Sequence, residues 1–336
     1  MHGALICLLA VGTTTALTPR ATIGVRRASR QVQPTCSAAP PSPLRKALLI
    51  SGAGSAISWV TTAGYAMCTY KPHRVVHNAI GTSQALTALP VLWSCITVLS
   101  DGSTSPDETR RLAVGVAVAC IWSAITVIWA PTFTSAVVRT VDPVSYPLAM
   151  RIVASSTHFS LAVACTAVWR DAGGTCRILL DRMADAVWGL GPRAEVAEGS
   201  SAPAYATLSL TFFTFAAVAL AAPFPLATVP SLMGKRCARA FGAWTLLAGV
   251  ALQTLKTLTE DSCNGAKPGA EPGAEPGASL AAVALRRGLR LMGGAHVLLI
   301  SARLLLETTA VYPAAIACLP ATVASVIVYA IVFAYL

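Results

Sequence analysis

Long apolar stretches separated by short polar segments fill the chain from residue 46 to residue 336. Eight of these stretches have about 20 residues each, the length at which an α-helix crosses the hydrocarbon core of a bilayer. They cover residues 47–67, 78–99, 112–133, 148–169, 205–228, 239–258, 287–306 and 312–335. The pattern predicts an all-α fold, a polytopic transmembrane helix bundle of about eight spans. The sixth and seventh stretches are the least apolar, so six or seven spans are the alternatives.

The composition supports a membrane protein. Of the 336 residues, 55% are hydrophobic and only 12% are charged, whereas soluble domains carry about 25% charged residues. Ala, Gly, Ser and Thr are frequent within the apolar stretches. Small residues let helix backbones approach closely in lipid, so we expect a compact bundle with the bilayer as its surroundings.

The first 45 residues have the character of a targeting leader. Residues 1–16 combine a short apolar core, too short to span a bilayer, with small residues suited to cleavage, as in a signal peptide. Residues 17–45 are rich in Arg, Ser, Thr and Pro and contain no acid, which is typical of a disordered transit peptide. The combination resembles the bipartite presequence of plastid proteins in algae with complex plastids. The alternative is a secreted or endomembrane protein with a disordered basic linker.

Two connections between the apolar stretches have distinct compositions. Within the loop 171–204, residues 176–190 place apolar side chains at helical spacing, which predicts one short amphipathic helix along the membrane interface or packed on the bundle. The segment 261–280 contains three copies of a four-residue unit with Pro and Gly in each. Such density of Pro and Gly predicts a flexible or extended linker.

The charges are distributed unevenly. The net charge is +11, and the first acid is Asp101. With eight spans, one side of the membrane holds both termini and every acid except Asp142 and Glu307. The other side contains the bases Lys71, Arg74, Arg139, Lys235 and Arg236. No aromatic and basic recognition pattern accompanies these bases, so the sequence gives no support for nucleic-acid binding.

The sixth and seventh stretches resemble each other without a gap. In 239–260 and 286–307, an Arg begins the segment and a base precedes an acid by four residues near its end. Lys256 with Glu260 and Arg303 with Glu307 are therefore predicted to form ion pairs on one helix face. We interpret these charges mainly as anchors at the membrane interface. Internal duplication is one explanation of the likeness, and shared composition is the other.

Three polar residues fall near the middle of predicted spans and are candidate binding residues: Gln84, His158 and His296. Polar groups at membrane depth are costly and often mark a pathway for ions or solutes. Two histidines on different helices also offer axial ligands for a haem. The plainer interpretation is that each forms a hydrogen bond to a neighbouring helix.

The sequence gives little support for catalysis or metal binding. His73 and His77 are one helical turn apart, but a metal site needs a third ligand and no acid is nearby. The sequence contains no HExxH, GxSxG or Walker motif and no CxxC pair. Most of the ten cysteines lie inside apolar runs, where they are expected to act as small core residues.

Three functional hypotheses follow. The first is a carrier or permease for a small solute, with Gln84, His158 and His296 around a central cavity. The second is a non-catalytic structural or assembly factor of photosynthetic membranes. The third is a haem-binding membrane protein with His158 and His296 as ligands. For location we favour a plastid membrane, thylakoid or envelope, with an endomembrane or the plasma membrane as the alternative.

Overall fold

A computed structural model of the chain describes residues 42–69, 86–102, 104–129, 147–175, 201–221, 232–264 and 279–309. Within these ranges the regular structure consists of seven α-helices and no strand. In chain order they are α1 (Pro43–Thr69), α2 (Leu89–Asp101), α3 (Pro106–Trp129), α4 (Leu148–Asp171), α5 (Ala202–Ala221), α6 (Leu232–Asn264) and α7 (Leu280–Thr309). The predicted all-α class is confirmed for this part of the chain.

Three of the helices are long enough and apolar enough to cross a membrane. They cover Pro106–Ile128, Leu148–Asp171 and Ala202–Leu220, which match the third, fourth and fifth predicted stretches. The eighth predicted stretch, 312–335, lies outside the described residues. So do the leader up to residue 41, the amphipathic segment 176–190 and most of the linker 261–280.

The second helix differs most from its prediction. The stretch 78–99 was expected to form one span. Its first part, 78–85, lies outside the described residues, and in the remainder α2 begins at Leu89 and has 13 residues. Thr87 and Ala88 form a turn immediately before it. Pro90 lies at the start of the helix, where its missing N–H costs no hydrogen bond. At about 1.5 Å per residue, α2 is about 20 Å long, which is shorter than the hydrocarbon core of a bilayer.

Helix α3 begins at Pro106, earlier than the apolar stretch 112–133 predicts, because the residues at its start form a cap. The backbone N–H of Ser105 donates to Glu108 Oε2 at 2.9 Å, and the N–H of Glu108 donates to Ser105 Oγ at 3.3 Å. This reciprocal pair is a capping box, and it satisfies N–H groups that the helix itself leaves without acceptors. Pro106 follows as the first helical residue, a position that proline favours.

Helix α6 occupies a central position among the described helices. It packs against α5 and α3 most extensively, and also against α7 and α2. Glycines permit two of these contacts. A Cβ at Gly115 of α3 would lie 2.7 Å from Val250 of α6, and one at Gly249 would lie 2.8 Å from Phe213 of α5. The close helix packing expected from small residues is thus present.

The acids of α2, α3 and α4 gather at one end of the bundle, which we call the acidic end: Asp101, Asp107, Glu108 and Asp171. Arg110 of α3 donates to the carbonyl of Ala172 at 3.0 Å, just beyond the last residue of α4. The side chain of Arg45 contacts Gly102, where the backbone turns with a positive φ of 68° after α2. These contacts bring the start of α3 to the end of α4, and the start of α1 to the end of α2.

Large apolar side chains are also exposed on the outer faces of the helices. They occur on α1, α2, α3, α4, α5 and α7. Ile57, Val163 and Leu298 are 67%, 68% and 72% exposed. Water-soluble monomers rarely expose contiguous apolar patches of more than a few hundred Å². A surface of this kind is expected where lipid chains surround a bundle.

Candidate functional site

His158 lies near the middle of α4 and is buried, with 1% of its surface exposed. Its Nδ1 atom is 2.6 Å from the hydroxyl oxygen of Ser55 on α1. Which of the two donates depends on the tautomer of the imidazole. The indole ring of Trp59, one helical turn beyond Ser55, meets the imidazole edge-on at a centroid distance of 5.7 Å. His158 therefore joins α4 to α1 through both a polar and an aromatic contact.

A second aromatic contact extends this cluster to the central helix. The rings of Trp59 and Trp244, on α1 and α6, meet edge-on at 4.9 Å with 82° between their planes. Trp244 is buried, and its Nε1–H has no acceptor within the described ranges. Ser55 also interacts with the thiol of Cys120 on α3. We call Ser55, Trp59, Cys120, His158 and Trp244 the His158 cluster; it draws on four helices.

His296 lies in α7 and is 3% exposed. Its Nδ1 atom is 3.3 Å from the hydroxyl oxygen of Thr87, which lies just before α2. This contact joins α7 to the start of α2, in the same way as the His158 contact joins α4 to α1. Each imidazole thus pairs with a hydroxyl group on a neighbouring part of the bundle.

The two histidines lie at similar depth but have different neighbours. About 20 Å of helix separates His158 from the end of α4, and about 24 Å separates His296 from the start of α7. The start of α7 lies at the acidic end, like the end of α4, because α7 runs antiparallel to α2, with Gly288 beside Ser94 and His296 beside Thr87. Helix α4 packs mainly on α3 and α1, whereas α7 packs mainly on α2. The haem hypothesis requires both imidazoles on one iron, and these packing partners give it no support. Gln84, the third candidate, lies outside the described residues, as do His73 and His77.

The predicted ion pair of α6 forms, but it lies in a different environment from the one we expected. Lys256 Nζ is 3.1 Å from Glu260 Oε1 and 3.3 Å from Oε2. Both residues are 3% exposed, so the pair is enclosed within the bundle, and its role as an anchor at the membrane interface stays a prediction. They are buried because neighbouring helices surround α6. For the matching pair, Arg303 and Glu307, the structure describes the helix but not the side chains.

Arg111 of α3 binds the central helix α6 next to this ion pair. Its Nη1 donates to Thr257 Oγ1 at 2.6 Å and to the carbonyl of Gln253 at 3.2 Å. The bonds hold the start of α3 against the final turns of α6. The sequence did not indicate Arg111, Ser55, Trp59 or Trp244, because apolar periodicity does not reveal which helices are neighbours.

The described residues contain no group of three or more His, Cys, Asp or Glu side chains that would hold a metal ion. The cysteines Cys95, Cys120 and Cys165 are buried and free, as expected for small core residues. Comparison of the chain with protein-family models, with curated proteins and with solved structures gives no match.

Proposed function

We propose that the chain is a multi-pass integral membrane protein of an algal plastid, and that its bundle is a non-catalytic structural or assembly factor of photosynthetic membranes. The exposed apolar side chains on six helices and the three helices long enough to cross a bilayer support the membrane location. The leader, with its apolar core and acid-free Arg-rich region, supports the plastid. We extend the architecture to eight spans, with both termini at the acidic side.

The observation that best supports a structural role is the hydrogen bond between Ser55 and His158. A transport pathway needs polar groups that face a cavity, whereas this imidazole is buried between a serine hydroxyl and an indole ring. His296 is similarly close to Thr87. Polar side chains used in this way fix the positions of neighbouring helices, each bond contributing about 0.6 kcal/mol on average in lipid.

The cysteines of the core provide a test. Vesicles containing the protein would be treated with a membrane-impermeant methanethiosulfonate, and the modified cysteines would be mapped by mass spectrometry. We expect Cys95, Cys120 and Cys165 to stay unmodified, while the exposed position 279, changed by Ser279→Cys, reacts. Modification of Cys120 or Cys165 would reveal water beside the His158 cluster and contradict a packed scaffold.

The biological role needs a separate experiment. Removal of the protein from the source alga should lower the amount of an assembled photosynthetic complex, seen by native electrophoresis of the membranes. Unchanged complexes would contradict the role in assembly while leaving the membrane location intact.

A small-solute carrier is the second candidate, and one observation favours it. The buried indole N–H of Trp244 has no acceptor in the described part of the chain, and an unsatisfied donor costs about 1–3 kcal/mol. A water or a solute in a second conformation of the bundle would satisfy it. This candidate predicts modification of Cys120 in the thiol experiment, so the two functions are distinguished by one measurement.

A further inference from the structure

A shallow cleft lies on the outer surface between α3 and α4, at the opposite end from the acidic end. Its volume is about 220 Å³, and Ile128 of α3 lines it together with Leu148, Ile152 and Phe159 of α4. Leu148 is 65% exposed and Ile152 is 56% exposed. Pockets for small molecules usually enclose about 300–1,000 Å³. The cleft therefore suits a segment of a flexible apolar chain better than a whole solute.

One charged side chain lines this cleft. Arg151 lies in the first turn of α4, and its Nε atom is buried without a hydrogen-bond partner among the described residues. The first turn of α4 contains no acid. The acids of α3 and α4 are Asp107, Glu108 and Asp171, and all of them lie at the acidic end. No carboxylate on these two helices neutralises Arg151.

The position of Arg151 in its helix adds to the positive potential. The first N–H groups of a helix lack intrahelical acceptors and together carry a partial positive charge. A cation in the first turn is therefore unfavourable unless an anion compensates both charges. An anion bound here would pair with the guanidinium group and also face the positive end of α4.

The sequence on this side of the bundle favours a lipid as the source of that anion. In the proposed eight-span topology, the acids of this side are limited to Asp142 and Glu307, whereas Lys71, Arg74 and Arg139 are among its bases. Bases near a membrane surface attract anionic lipids. We propose that Arg151 binds the phosphate of an anionic phospholipid, and that one acyl chain of this lipid occupies the cleft between α3 and α4. This inference rests on the proposed membrane location.

The test is native mass spectrometry of the full-length protein in detergent with added phosphatidylglycerol or phosphatidylcholine of matched chain length. We expect the native protein to retain phosphatidylglycerol preferentially. Arg151→Gln should weaken that binding about tenfold, because a hydrogen bond between charged groups is lost. Arg170→Gln is the matched control, since it removes a cation from the other end of the same helix and should leave binding unchanged.

Two further arms identify the ligand. Ile152→Trp, which fills the cleft, should weaken lipid binding with Arg151 intact. Inorganic phosphate should compete only weakly, because it cannot occupy the cleft. Equal loss in Arg151→Gln and Arg170→Gln, no loss in either, or full competition by phosphate would overturn the proposal.

The outcomes also separate this inference from the membrane location. If Arg151→Gln does not fold, Arg151→Lys keeps the charge but cannot bind the phosphate through two N–H groups, and weaker retention of phosphatidylglycerol is again expected. A protein that alkaline carbonate releases from membranes contradicts the membrane location itself. A protein that stays in the membrane but binds both lipids equally contradicts the lipid site alone.

Discussion

The contact between α2 and α7 predicts a large difference between two glycine substitutions. A Cβ at Gly288 of α7 would overlap the hydroxyl oxygen of Ser94 and lie 2.8 Å from the backbone carbonyl oxygen of Pro90. A Cβ at Gly54 of α1 would meet only Thr157, at an ordinary 3.8 Å. The change Gly288→Ala therefore forces two backbones apart, whereas Gly54→Ala finds space.

The magnitude follows from the difference between the two variants. Both changes replace glycine by alanine inside a helix, so both gain a similar propensity term of at most about 1 kcal/mol. Overpacking costs about 1–3 kcal/mol. In the difference between the free energies of unfolding of the two variants, this propensity contribution cancels. We thus expect Gly288→Ala to be less stable than Gly54→Ala by about 1–3 kcal/mol.

The assay is unfolding by SDS in mixed micelles, followed by tryptophan fluorescence and analysed as a free energy of unfolding. Ser94→Gly should recover part of the loss in Gly288→Ala, with a coupling of about 0.5–3 kcal/mol for residues in contact. Equal stabilities of Gly288→Ala and Gly54→Ala would show that α2 and α7 do not meet at Gly288, and the packing described here would be wrong.

Three further predictions use the same unfolding assay. Lys256→Met should lose about 3–5 kcal/mol because the buried carboxylate of Glu260 loses its ion pair with Lys256, whereas Lys256→Met combined with Glu260→Leu should be near neutral. A loss of less than about 1 kcal/mol in Lys256→Met would mean that the pair is exposed to solvent. Glu108→Ala should cost about 1 kcal/mol by breaking the capping box of α3, and no cost would mean that the box does not form. Ser55→Ala and His158→Leu should be coupled by about 0.6–1.7 kcal/mol in a double-mutant cycle. Additive effects would mean that Ser55 and His158 do not form a hydrogen bond.

The positions of most described helices were predictable, because an apolar stretch of about 20 residues predicts a helix of similar length. The fourth stretch, 148–169, nearly coincides with α4, Leu148–Asp171. The prediction was less accurate for α2, since the turn at Thr87 and Ala88 interrupts a continuous apolar run. Hydropathy averaged over a window does not detect a turn whose residues are themselves small or apolar.

The candidate site was predictable only in part. His158 and His296 were singled out because imidazoles are rare at membrane depth, but the sequence did not show that Ser55 and Thr87 would be their partners. Likewise, the spacing of Lys256 and Glu260 predicted their ion pair, while their burial depends on the helices packed around α6. Partners across helices are set by tertiary packing, and one sequence contains no direct record of it.

The central claim is that lipid covers the exposed apolar faces of these helices. Extraction of source-cell membranes with alkaline carbonate, followed by ultracentrifugation and immunodetection, tests it most directly. We predict that the mature protein stays entirely in the membrane pellet, as a protein that crosses the bilayer must. Recovery of the protein in the supernatant would contradict the account.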